Sequence, residues 1–238
     1  MSGEPAPIKS TALRIFRGLS ESYDSVLDHA TLLQDRRWKE WVVAEAGLKN
    51  GSEVLDLGCG TCVLEERLPD HCRVIGVDIT EEMLRRARRK LLQNVDSLLL
   101  SDGEKLPFRE SCFDAAVSCY LVKYCDSRVL VSEMARVLKP GGSLVLYDFV
   151  VPRGALWPLN AIYIYGGLPV IGKLMQMCRA DSARTFSELP GIISGRRWDA
   201  GFRKILSESG FSDVEEKQLP GGAAVGFRAT KASAPSAV

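Results

Sequence analysis

The sequence has two histidines in 238 residues, almost no net charge and no long unbroken apolar run. Thirty-one Lys and Arg stand against 30 Asp and Glu, a formal charge of +1. That balance excludes the broadly basic surface on which non-specific nucleic-acid binding depends; a small neutral partner fits better. The longest apolar region, residues 155–178, is broken by Pro158, Gly166, Gly167, Pro169 and Gly172. A membrane-spanning helix needs roughly 20 mostly apolar residues, so this segment reads instead as a lid or as a surface that lies on a membrane. The opening residues, Met1 to Lys9, carry no apolar core of a signal peptide, and the expected location is cytoplasmic.

Seven cysteines in such a chain read as reduced thiols, and an odd number cannot all pair. Cys59 and Cys62 have the CxxC spacing, but they sit in a glycine turn with no second CxxC, and His29 and His71 are the sole imidazoles. No metal site is expected on that pattern.

With 46% hydrophobic and 26% charged residues, the chain is long enough for one α/β domain with insertions. Between Thr11 and Gly47, residues including Leu13, Phe16, Leu19, Tyr23, Leu27, Trp38 and Val42 recur at helical spacing, predicting a helical cap over residues 1–50. After Gly51 short apolar runs alternate with helical stretches, the pattern of a parallel sheet in one domain over 51–231. Strands are expected at Glu53–Leu57, Arg73–Val77, Asp96–Leu100, Phe113–Ser118 and Gly142–Phe149. Helices are expected at Cys62–Leu68, Glu81–Gln93 and Val129–Leu138, the last stopped by Lys139-Pro140-Gly141-Gly142. An apolar insertion at 151–196 precedes a helix at Trp198–Ser209 and two more β-like runs, Asp213–Gln218 and Ala223–Thr230. The Ala-, Ser- and Pro-rich tail, 232–238, is expected to be disordered.

The chemistry concentrates in Val54-Leu55-Asp56-Leu57-Gly58-Cys59-Gly60-Thr61-Cys62, a strand that runs into a glycine turn. Glycines at 58 and 60 let the backbone bend sharply and approach a ligand closely. A dinucleotide fingerprint would place a third glycine at 63, where this chain has Val63. Asp56 would sit awkwardly beside a pyrophosphate, yet suits a cofactor with an ammonium group and no phosphate, as in S-adenosylmethionine. Twenty-two residues on, Asp78 is placed to accept hydrogen bonds from both ribose hydroxyls, and Asp102, at the end of the third strand, to accept from an adenine amino group. Each carboxylate alone could be a helix cap or a solvated loop residue; three at successive strand ends point to one site.

These residues resemble the class I methyltransferases, and within them the ubiquinone/menaquinone biosynthesis C-methyltransferases. The resemblance runs through Val54 to Asp148: the strand-turn motif, Asp78-Ile79-Thr80-Glu81-Glu82-Met83-Leu84, Leu106-Pro107-Phe108 with Phe113-Asp114, and Arg136-Val137-Leu138-Lys139-Pro140-Gly141-Gly142. It extends to the flanks through Ile15-Phe16, Tyr23-Asp24, Arg37-Trp38-Lys39, Leu168-Pro169 and Gly210-Phe211. It implies a doubly wound, seven-stranded sheet with one final antiparallel strand. It also implies cofactor contacts at Asp56, Gly58, Gly60, Thr61, Asp78, Ile79, Asp102, Gly103 and Cys119. The chain departs from the family pattern at Cys62, where the turn has its third glycine, at Leu121-Val122-Lys123-Tyr124, which replaces a Gly-Leu-Arg-Asn run, and at Phe227, which stands for a histidine.

The implied activity is methyl transfer from S-adenosylmethionine to a hydrophobic small molecule, with a quinone-type ring carbon as its sharpest form. O- or N-methylation of another metabolite and a non-catalytic cofactor-binding scaffold are the alternatives. Tyr23, Asp24, Arg136, Tyr147 and Asp148 are candidates for contact with the acceptor, although the tyrosines could equally be packed aromatics. Neither histidine lies near a strand end, so neither is assigned as a base.

Overall fold

A computed structural model describes residues 7–151, 158, 162–167, 170 and 197–233. Three helices come first: α1 (Pro7–Leu19), α2 (Tyr23–Ala30) and α3 (Gln34–Glu45). A seven-stranded sheet follows, with β1 (Glu53–Leu57), β2 (Arg73–Asp78), β3 (Val95–Leu100), β4 (Phe113–Cys119), β5 (Leu138–Phe149), β6 (Phe211–Gln218) and β7 (Ala224–Lys231). Among the helices that cross over it are α4 (Glu81–Arg88), α5 (Ser127–Val137) and α6 (Phe202–Glu208). The strand order is β3-β2-β1-β4-β5-β7-β6, and β7 runs antiparallel to both neighbours. The order reverses between β1 and β4, and at such a switch point the crossovers leave in opposite directions and open a crevice at the strands' C-terminal ends.

Side-chain alternation along the strands feeds two cores, one on each face of the sheet. Leu55, Leu57, Leu144 and Leu146 join Leu130, Met134, Phe202 and Phe227 on one side. Val54, Val145 and Tyr147 join Trp38 and Val42 of α3 on the other. The cap is therefore part of the second core. Trp41 lies so close to β7 that a Cβ on Gly226 would stand 2.3 Å from its ring; only glycine admits this contact. Where α5 begins, the Asp126 side chain accepts hydrogen bonds from the N–H groups of Arg128 and Val129, at 2.9 and 3.3 Å, satisfying donors that the first turn leaves free.

Several element ends differ from the sequence reading, and backbone handedness gives the reason. The helix expected at Cys62–Leu68 is a turn followed by a 3-10 segment, Glu65–Arg67, because Cys62 adopts a left-handed φ of 61°. α4 stops at Arg88, three residues before Leu91 turns left-handed (φ 51°), and α6 starts only after Gly201 (φ 78°). β5 starts at Leu138, which pairs with Phe113, and residues 139–142 form an irregularity before pairing resumes at Ser143 opposite Ala115. Most of the insertion expected at 151–196, and the tail beyond 233, lie outside the described residues. In the insertion, a π-helical turn spans Tyr163–Gly167, the Tyr163 hydroxyl donates to the His29 carbonyl at 3.0 Å, and Ile162 and Val170 are exposed. Among the described residues no helix is long and apolar enough to cross a membrane.

Candidate active site

The crevice at the β1–β4 switch point is lined from four strand ends and roofed by α1. Gly58 and Gly60 follow β1, Asp78, Ile79, Thr80 and Met83 follow β2, Ser101, Asp102 and Gly103 follow β3, and Cys119, Tyr120 and Leu121 follow β4; Lys9, Ala12 and Phe16 come from α1. Gly58 and Gly60 have φ of 74° and 55°, a region that costs an L side chain about 1–2 kcal/mol. The turn folds over β2, with the N–H groups of Gly58 and Cys59 both donating to the Val77 carbonyl, at 2.7 and 3.1 Å.

Asp78 holds the turn from the other side. Its carboxylate accepts from the Gly60 N–H at 3.0 Å and from the Thr80 N–H at 2.8 Å. Burial pushes the Asp78 carboxyl above the usual carboxylate range, and these two donors oppose that shift. The Gly60 N–H, which a pyrophosphate would need, is thus already given to a carboxylate. Asp102 is bridged by Lys9, whose Nζ lies 3.0 and 2.8 Å from its two oxygens and 2.7 Å from Glu104. This pairing fastens α1 over the end of β3.

Seven of the nine residues expected at the cofactor line the crevice: Gly58, Gly60, Asp78, Ile79, Asp102, Gly103 and Cys119. Asp56 and Thr61 do not. Thr61 is fully buried behind the turn, where its hydroxyl donates to Asp24 at 2.5 Å, and Asp24 in turn meets Lys90 at 3.0 Å. Thr61 and Asp24 therefore lock the cap to the glycine turn. Asp56 points into the core beside Glu65, and its Oδ1 has no hydrogen-bond partner among the described residues. Desolvation pushes both carboxyls well above their usual range.

The acceptor candidates separate in the same way. Tyr23 lines the crevice. Arg136 is used elsewhere: its guanidinium binds Glu133 at 2.7 and 2.8 Å and donates to the carbonyls of Phe108 and Leu106 at 2.7 and 3.2 Å. It fastens the segment after β3 to the end of α5. Asp148 is fully buried against Lys123, whose Nζ contacts Oδ1 while its N–H donates to Oδ2 at 3.2 Å. Tyr147 is also fully buried, behind Tyr120.

A second, apolar cavity adjoins the crevice, between the cap and the segment after β4. Ile15, Leu19, Val26, Leu27 and Phe149 line it, together with Phe16, Tyr23, Tyr120 and Tyr124, which also border the crevice. Behind that shared wall lies a polar group the sequence did not reveal. Asp35 Oδ1 accepts from the hydroxyls of Tyr120 and Tyr147, each at 2.7 Å, and both Asp35 oxygens lie 2.6 Å from Lys39 Nζ. All four residues are buried. Burial, and then the charge of Asp35, hold the Tyr120 hydroxyl well above its ordinary pKa. Tyr120 takes a left-handed φ of 64°, a strained state of the kind that clusters at functional sites. The i, i+4 spacing of Asp35 and Lys39 was the one available signal, and it looks the same as an ordinary surface pair.

Comparison with known proteins identifies the family and the fold. A C-methyltransferase of ubiquinone/menaquinone biosynthesis from Desulfotalea psychrophila is 30% identical over 215 residues, covering 87% of this chain and 84% of that one. A demethylmenaquinone methyltransferase of Staphylococcus aureus is 28% identical over 224 residues, covering 91% of each chain. Among solved structures, a Haemonchus contortus phosphoethanolamine N-methyltransferase in complex with S-adenosyl-L-methionine superposes with a TM-score of 0.58 at 16% identity, over 83% of this chain and 53% of that one. The model of the ubiE/COQ5 methyltransferase family matches residues 8–231, and the chain belongs to that family.

Proposed function

We propose that the protein transfers the methyl group of S-adenosylmethionine to a ring carbon of a quinone-type aromatic molecule held in the apolar cavity. The observation that supports this reading is the wall of Phe16, Tyr23, Tyr120 and Tyr124 common to the two cavities, against which a flat apolar acceptor would lie beside the crevice. The names of the two enzymes above supply the class of acceptor. The residues suit a nucleoside that carries positive charge and no phosphate, since Gly60 is committed to Asp78 and the crevice carries carboxylates at two strand ends, Asp78 and Asp102.

When bound, the cofactor supplies an electrophilic methyl group, so the protein's work is alignment, exclusion of water and proton handling. Asp78 is assigned to the ribose hydroxyls, Asp102 with Gly103 to the adenine, and Gly58, Gly60, Ile79 and Cys119 to the cofactor's walls. Asp56 and Thr61 act from behind, by shaping the turn. Carbon methylation needs a ring made electron-rich by loss of a phenolic proton. Tyr120 is assigned to receive that proton while passing its own hydroxyl proton to Asp35, 2.7 Å away, and the Lys39 ammonium offsets the carboxylate charge. Tyr23, Phe16 and Tyr124 hold the ring.

The test is Tyr120→Phe with methyl-labelled cofactor and a reduced demethylated menaquinone analogue. Turnover should fall about 100-fold, a typical effect of losing a proton-transfer group, while adenosylhomocysteine binding by calorimetry stays within threefold of wild type, the wild-type label being carbon-bound by NMR. Label found on oxygen or nitrogen would reassign the acceptor atom, and label only in protein or RNA from a lysate would overturn a small-molecule substrate.

A further inference from the structure

The turn holds a second cluster that methyl transfer does not use. Cys59 Sγ, Cys62 Sγ and a Glu65 carboxylate oxygen all lie within 4.8 Å of one another, and all three residues are buried. Two features show that packing alone does not explain the cluster. Among the described residues, both Glu65 carboxylate oxygens lack a hydrogen-bond partner although the residue is only 1% exposed. A proton shared with the neighbouring Asp56 could satisfy one of them, never both. In addition, Cys62 holds a left-handed φ of 61° where glycine would carry no steric cost. Leu84, Ala87, Leu92 and Leu98 close the surroundings and offer no polar partner.

We propose that Cys59, Cys62 and Glu65 bind one zinc ion, a site built into the wall behind the glycine turn. Two thiolates and a carboxylate supply three borderline-soft donors for a tetrahedral site, which suits Zn²⁺ and not the all-oxygen preference of Mg²⁺ or Ca²⁺. Spacings of i, i+3 and i+6 through a turn and a 3-10 segment bring the three donors to one side. Asp56, against Glu65, orients the carboxylate from behind, and a water takes the fourth position. A cleft bordered by Cys62, Ala87, Arg88, Leu91 and Leu92 leads to it from the surface. Binding displaces the two thiol protons and any proton on Glu65 to solvent, and no electron moves. The spacing of Cys59 and Cys62 alone gave no reason to expect a site, because Glu65 joins them only after the chain has turned. A metal there would fix Cys59 and Cys62 on either side of Gly60, and so set the turn before a cofactor arrives.

The experiment uses the full chain, reduced with a metal-free phosphine, stripped with chelator, reloaded with one equivalent of zinc alone and passed through gel filtration. Elemental analysis should find one zinc per chain in the wild type and in Cys112→Ser, and loss of zinc in Cys62→Gly and Glu65→Gln. Cys62→Gly removes the left-handed strain, so it should fold in either case. Substitution with Co²⁺ should give a thiolate charge-transfer band and tetrahedral d–d bands, both absent in Cys62→Gly. No zinc on the folded wild type, zinc retained undiminished by Cys62→Gly, or a Cys59–Cys62 disulfide formed in the presence of zinc would each overturn the proposal. None of these readouts depends on turnover.

Discussion

The two halves of the site are built in opposite ways. The crevice proposed for the cofactor is made from strand ends, and most of its lining follows from short motifs such as residues 56–62, 78–84 and 101–103. The cavity proposed for the acceptor is made from the cap and the segment after β4, and the polar group behind it joins Asp35 and Lys39 to Tyr120 and Tyr147, about 85 to 112 residues away. A local motif meets a demand set by backbone conformation, which neighbouring residues can encode by themselves. A buried charge can be placed only when distant segments supply its partners together.

The largest expected effect breaks the non-local half. Asp35→Asn removes the carboxylate that balances the Lys39 ammonium in a site where Asp35 is 1% and Lys39 3% exposed. Leaving a buried charge unpaired costs about 3–5 kcal/mol, so the urea midpoint should fall sharply. If the midpoint moved by less than a tenth, the ammonium would have to reach solvent, contrary to the contacts described.

Next comes the local half. Asp78→Ala should weaken adenosylhomocysteine binding at least tenfold by calorimetry, about 1.4 kcal/mol. The substitution also frees the Gly60 and Thr80 N–H groups, so part of the loss belongs to a looser turn. Unchanged affinity would remove the ribose contact assigned to Asp78 and leave the two halves less distinct than drawn here.

The smallest effect sits outside both cavities, at a residue the sequence placed near the acceptor. The Arg136 hydrogen bonds hold the Glu133 carboxyl below its usual pKa. A group lowered in the folded state gives stability that is present above its unfolded pKa, roughly 4.3, and is lost as pH falls through the lower folded value. Arg136→Met should therefore lower stability near neutrality and flatten the acid limb, so that the two stability curves converge below pH 4. Turnover should hardly change. A large loss of turnover with normal stability would restore Arg136 as a substrate contact.

Read along the chain, the sequence determined the sheet, its switch point and the carboxylates at its strand ends, because strand period, glycine turns and acidic residues at fixed offsets are local properties. It placed Gly58, Gly60, Asp78, Ile79, Asp102, Gly103 and Cys119 at the crevice. Tertiary structure alone decided that Thr61 and Asp24 join the cap to the turn, that Tyr147 stands behind Tyr120, and that Arg136 ties down a loop. It also decided that Asp35 and Glu65, unremarkable in sequence, are buried. A residue's chemistry depends on whether water reaches it and on which groups face it, and both are fixed only when segments far apart in the chain pack together.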